Sequence, residues 1–198
     1  MKTLGEMIAF LLVTATMQNL VLTLGFGSSS LARMLRRPRQ RHTFSRLLLM
    51  FSVTTTVLFY PIDRLLPTAW QAKLLRPLIA VSLTALLYVA FVLVMSRFFA
   101  EHYHRIRRFV PLAAFNNTVI GIAVVTNYPY PVGFFPAVGM AIGAAVGFSL
   151  MSSMSAEALE RLDNPETPAA FRGLPGTLVY LGLLALALRG FDPLFNLV

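Results

Sequence analysis

One apolar run constrains this chain more than any other feature, because it is at odds with itself. Residues 109–126 read FVPLAAFNNTVIGIAVVT. That is close to the roughly twenty helical residues needed to cross about 30 Å of hydrocarbon. Yet Asn116, Asn117 and Thr118 stand side by side near its middle. Two adjacent amides in hydrocarbon are costly unless partners meet them. A second polar interruption closes the first apolar run, at Gly25-Phe26-Gly27-Ser28-Ser29-Ser30. The expectation is that these two breaks face each other inside a membrane bundle.

The rest of the chain supports membrane residence. Hydrophobic residues make up 57% and charged residues only 13%, about half the charge of an average soluble domain. The net charge of +9 does not imply nucleic acid, because the arginines gather between apolar runs, where membrane proteins keep them. The sequence has no cysteine, which excludes disulfides, thiolate metal sites and iron–sulfur ligation by thiolate. The first apolar run is too long for a signal-peptide core and lacks a clear small-x-small cleavage site, so it reads as a retained span.

Six spans are expected, at about 7–26, 47–60 (continuing toward 66), 77–99, 109–126, 132–154 and 174–188. The first carries Gln18, Asn19 and Thr23 before its Gly/Ser segment. Backbone freed there must be satisfied by protein or by water in a cavity. Alternatively, the helix simply ends at Gly25 and the serines cap the next piece. Thr54, Thr55 and Thr56 lie in the second span, and back-bonding to the helix explains at least two of them. Asp63, Arg64 and residues 67–73 read as a short loop, with Trp70 suited to the headgroup region. Gly139, Gly143 and Gly147 share one helix face, which invites close approach of another backbone, favoured as one within the chain. The acidic segment with Glu157, Glu160, Asp163 and Glu166 reads as a short surface helix ending in a loop.

Loops after the first, third and fifth spans hold twelve Lys and Arg, against five on the other side. This places the odd loops in the cytoplasm of a bacterial inner membrane and both termini outside. The expected fold is all-α and membrane-integral: one domain over 1–198, built as two inverted three-helix repeats, about 1–100 and 101–198, with interrupted first and fourth spans. Asn19-Leu20-Val21-Leu22 and Asn117-Thr118-Val119-Ile120 occupy the first span of each half. Inverted repeats place their site at the midplane, where broken helices meet.

No acidic or basic side chain lies mid-span, which argues against a self-contained proton pump. Ser28, Ser29, Ser30, Asn116, Asn117 and Thr118 offer neutral oxygens for sodium or a small solute. They could equally bond to one another and fix helix packing. Asn116-Asn117-Thr118 matches a glycosylation acceptor but sits inside a span, out of reach. His102-x-His104 reads as a solvated surface pair, and no metal site is expected. The arginine loops could recruit anionic lipid or a soluble partner, but topology alone explains them.

Phe109-Val110-Pro111-Leu112, followed by Asn116 and Gly121, resembles a known family. It is the family of the A-type subunit of the Rnf electron-transport complex, equivalent to the E-type subunit of the sodium-translocating NADH:quinone reductase. Asn19-Leu20-Val21-Leu22 through Gly27, AVGFS at 145–149 with Glu160-Arg161, and Pro168-Ala169-Ala170-Phe171-Arg172-Gly173 extend the likeness over nearly the whole chain. The resemblance implies a six-span subunit paired with a sister of opposite topology, and further Rnf/Nqr-type subunits beyond it. It also implies an intramembrane [2Fe–2S] cluster held by one cysteine after the first-span glycine and one after the fourth-span asparagine, with cysteines of the sister. Here those positions read Ser29 and Asn117, with Asn19, Gly27, Ser28, Ser30, Asn116 and Thr118 in support. Neither side chain is a usual cluster ligand, so no cofactor is expected. The chain carries no catalytic residues of its own. It is expected to be a cluster-less membrane subunit of an ion-translocating redox complex; the alternative is an inverted-repeat transporter for sodium or a small solute without redox chemistry.

Overall fold

The computed structural model describes residues 2–16, 18–25, 27, 30–31, 38–66, 70–126 and 132–190. Among these every regular element is helical: α1 (Lys2–Ala15), α2 (Leu20–Thr23), α3 (Pro38–Leu65), α4 (Trp70–Phe98), α5 (Ala100–Ile106), α6 (Val110–Ala114), α7 (Asn117–Val125), α8 (Phe134–Leu162), a 3-10 turn (Ala169–Phe171) and α9 (Leu174–Arg189). Three stretches are long and apolar enough to cross a membrane: Gln40–Leu65, Leu74–Phe98 and Phe134–Leu162. Ala100–Ile106 with Val110–Val125 qualifies as a fourth if taken as one bent element, the bend being 66°. Thr3–Ala15 and Leu174–Leu188 are shorter apolar helices.

The helix α8 is the central post, with α1 packed along one side and α3 along another. The sequence explains the close seam with α1. A Cβ at Gly143 would stand 2.5 Å from the Leu11 carbonyl oxygen and 3.0 Å from Thr14 Cβ. Gly139 faces Met7 in the same way. The glycine face therefore serves packing within the chain, and α1 is its partner. Small residues let two backbones approach and gain dispersion contacts where lipid removes the usual hydrophobic drive. On the other side Phe44 meets Phe148 at 5.3 Å between ring centroids. Around them Leu48, Phe51, Val110 and Val119 are almost wholly buried. By contrast α4 turns Leu78, Leu86 and Leu93 outward.

Several element boundaries differ from the expectation. In the first span α1 ends at Ala15 and α2 covers only Leu20–Thr23, so one break precedes the Gly/Ser segment and another falls within it, where Gly25 and Gly27 have positive φ. The helix α3 begins at Pro38, so Arg41 and Arg46 stand on its opening turns rather than in a loop. Proline suits a helix's first turn, and long basic stems reach water from a continuing helix. At the other end Asp63 and Arg64 complete α3. Asp63 pairs with Arg76 of α4 at 2.7 Å, the two side chains being 5% and 10% exposed. That pair compensates the burial of both charges. Arg64 donates to the Tyr60 hydroxyl at 2.9 Å and to the Val132 carbonyl at 3.2 Å, tying α3 to the start of α8. The acidic segment is no separate helix: α8 runs on to Leu162, helped by the Glu157–Arg161 pair one turn apart.

Candidate functional site

Asn19 organises the first interruption. Its backbone is extended (φ −64°, ψ 115°), and its side-chain oxygen accepts from the Val21 N–H at 3.0 Å, capping α2. Its amide nitrogen donates back to the Ala15 carbonyl at 3.0 Å. One side chain thus satisfies a carbonyl at the end of α1 and an N–H at the start of α2. Both groups are orphaned by the break, and unpaired backbone polar groups are intolerable in lipid. Asn19 is 1% exposed. Gly147 makes room for it: a Cβ there would stand 2.5 Å from Asn19 Nδ2.

The second interruption repeats the cap. Asn116 is extended (φ −75°, ψ 135°), and its side-chain oxygen accepts from the Thr118 N–H at 2.9 Å, capping α7. Its amide nitrogen goes elsewhere, donating to Ser30 Oγ at 3.1 Å. By cap role the counterpart of Asn19 is therefore Asn116, one residue before the Asn117 suggested by the sequence match. The Gly/Ser segment beyond α2 meets this second interruption at Gly27 (φ 78°) as well. A Cβ on Gly27 would stand 2.9 Å from Thr118 Oγ1, 3.0 Å from Phe148 Cε2 and 3.2 Å from Asn116 Oδ1. Both the positive φ and the close approach call for glycine here.

Gly27, Ser30, Asn116 and Thr118 are thus brought together, and Asn19 lies against Gly147 beside them. Asn117 is exposed and takes no part in the Asn116–Ser30 contact. Successive helical residues project about 100° apart, so a cap and its neighbour face different surroundings. Ser28 and Ser29 lie outside the described residues.

The candidate Thr118 has companions that the sequence did not mark as site residues. Thr118 Oγ1 is buried without a hydrogen-bond partner, as are Ser52 Oγ, Thr55 Oγ1 and Thr56 Oγ1 of α3. The back-bonding expected of the threonine run does not occur at Thr55 and Thr56. Elsewhere Thr84, Ser155 and Thr177 do bond back to their helices, at 2.7, 2.6 and 3.0 Å. Phe51 packs in one cluster with Ala113 and Ala114, and Phe59 in another with Ala123. Ser52, Thr55 and Thr56 therefore sit at the level of the second interruption. The signal in the sequence was the run of hydroxyl residues itself; nothing in it said where they would point.

Comparison with known proteins identifies the scaffold. Residues 7–195 match a family described as Rnf-Nqr subunit, membrane protein. The chain belongs to the Rnf-Nqr family. Over 150 residues it is 31% identical to the A-type subunit of the ion-translocating oxidoreductase complex of Colwellia psychrerythraea, covering 72% of this chain and 77% of that one. The like-named subunits of Syntrophotalea carbinolica and Aromatoleum aromaticum are 43% and 36% identical over 89 and 92 residues. Those two matches cover 46% and 47% of the relatives' lengths. This Rnf-Nqr chain carries hydroxyl and amide groups around its interruptions, and Ser29 and Asn117 stand where the family resemblance calls for cysteine. Iron–sulfur clusters are held by thiolates, with histidine as the usual substitute. The donor set present does not fit a [2Fe–2S] cluster.

Proposed function

We propose that this chain is a membrane subunit of an ion-translocating oxidoreductase complex, working without an iron–sulfur cluster of its own. Family membership supports the assignment, as do the relatives named as A-type subunits of such complexes. The observation that carries the site is the Asn116–Ser30 hydrogen bond, which joins the Gly/Ser segment beyond α2 to the interruption between α6 and α7. In this reading six spans form two inverted repeats, α1 and α9 being the shorter spans. A sister six-span subunit of opposite topology covers the face bearing Asn117 and completes the site. The chain lies in a bacterial inner membrane with both termini outside, as its arginine bias implies.

The unpartnered Thr118, Thr55 and Thr56 hydroxyls favour a second reading, in which sodium or a small solute passes the interruptions without redox chemistry. An unsatisfied buried hydroxyl costs about 1–3 kcal/mol, so water or a passing ligand would meet a real demand. Purification in mild detergent separates the two. A stable flavin-containing assembly is expected; a lone homodimer that takes up solute in vesicles, and stops doing so on Asn116→Leu, overturns the first reading in favour of the second.

A further inference from the structure

A cavity on the arginine-rich side belongs to neither interruption. It lies between the opening turns of α3 and the corner where α5 leads into α6, with a volume of about 580 Å³. Gln40 and Thr43 line it from α3; His102, Arg105 and Arg108 line it from the corner. The apolar Ile106 and Phe109 complete the lining, 7% and 8% exposed. No carboxylate lines it among the described residues. The walls therefore present hydrogen-bond donors and positive charge over an apolar floor. The N-terminal end of α3 adds the positive end of a 28-residue helix.

The position says which anion fits. The helix α5 turns 66° away from α6 and α7 and lies in one of the arginine-rich segments between apolar runs, which membrane proteins keep at the water boundary. Arg105 and Arg108 are exposed there, beside α3 and α6, helices that continue into apolar stretches. A soluble anion would use the donors and none of the small apolar surface that Ile106 and Phe109 leave open. A phospholipid uses both: phosphate against the guanidinium groups, which match its oxygens in paired hydrogen bonds, and the glycerol end of the acyl chains against Ile106 and Phe109. Basic pockets between spans bind anionic headgroups on the same grounds.

We infer that this cavity is a binding site for an anionic membrane phospholipid, held through its phosphate by Arg105 and Arg108. The inference needs only membrane residence and is independent of the redox or transport reading.

The test uses the full chain purified in detergent, with retained lipid read by native mass spectrometry. Three probes are compared: phosphatidylglycerol, phosphatidylcholine and inorganic phosphate. Phosphatidylglycerol is expected to be retained and to raise the melting temperature, with the other two well behind. The Arg105→Gln/Arg108→Gln variant is expected to bind phosphatidylglycerol about thirtyfold more weakly, the worth of two cations at an anionic surface. Arg161→Gln, an exposed arginine outside the cavity, is expected to change nothing. Unaltered retention in the double variant overturns the inference. So does equal stabilisation by inorganic phosphate, which points to a soluble anion. So too does a double variant that keeps its lipid but loses a co-purifying soluble protein, which assigns the arginines to protein docking.

Discussion

The two interruptions share a cap and differ in what the capping residue does with its other hand. Asn19 and Asn116 each accept from the N–H two residues ahead. Asn19 then turns its amide nitrogen back on its own helix, to Ala15, under the cover of Gly147. Asn116 reaches across to Ser30 instead. The first interruption is a closed local clasp, while the second is half of a joint between segments distant in sequence. Identical local chemistry thus closes a local break in one place and makes a long-range contact in another.

That contrast predicts a graded set of outcomes. The largest concerns the cover over the first clasp. Gly147→Val forces atoms against Ala15 and Asn19 and is expected to cost about 2–3 kcal/mol, the upper range for an overpacked core. Gly182 has open space around it, so Gly182→Ala should be neutral or stabilise by up to about 1 kcal/mol. Melting both variants in one detergent checks this; equal melting temperatures would mean that the seam does not enclose the clasp.

Next come the caps themselves. Asn19→Ala removes a cap worth about 1 kcal/mol and a buried hydrogen bond worth about 1 more. Asn116→Ala loses the same cap, but Ser30 is only half buried, and its rotatable hydroxyl finds another partner. A cost of about 1 kcal/mol is expected there, and denaturation curves that reverse the order would refute the distinction between clasp and joint. A smaller effect tests the joint directly. Ser30→Ala combined with Asn116→Ala should show a coupling of about 0.5–1 kcal/mol, whereas Ser30→Ala with Asn19→Ala should be additive within about 0.5 kcal/mol. Coupling to Asn19 would make the two interruptions one network.

The last outcome barely touches stability. Because the chain lacks cysteine, single thiols can be introduced without background. Asn117→Cys should react quickly with a maleimide in the isolated chain and Asn116→Cys slowly, following exposure. In the assembled complex Asn117→Cys should become protected. Continued reactivity there removes the sister subunit from that face.

Some of this was legible in residue order. The amide pair, the glycine face and the Gly/Ser segment all marked places of consequence. What each would do was not. The glycine spacing announced a close neighbour without naming α1, since spacing describes one face and not the surface it meets. Composition points to a first interruption at Gly25–Ser30, where glycine and serine weaken a helix. The helix does end there, at Thr23 ahead of Gly25 and Gly27, but it is also broken earlier, between Ala15 and Leu20, where no glycine or proline warns of it, because Asn19 can replace the lost backbone bonds once Gly147 leaves it room. The arginines at the start of α3 suggest a loop because charge suggests water, yet a helix can carry charge out of hydrocarbon without losing a single backbone bond.

Membrane residence, family and the location of costly polar groups follow from the sequence alone, because hydropathy, motif order and desolvation are properties of short stretches. The partner of each polar group came instead from packing in three dimensions. Asn116 meets a serine 86 positions away, while Asn117 beside it faces outward. A hydrogen bond needs its two ends in one place, and only the packing of α8 against α1 and α3 brings them there.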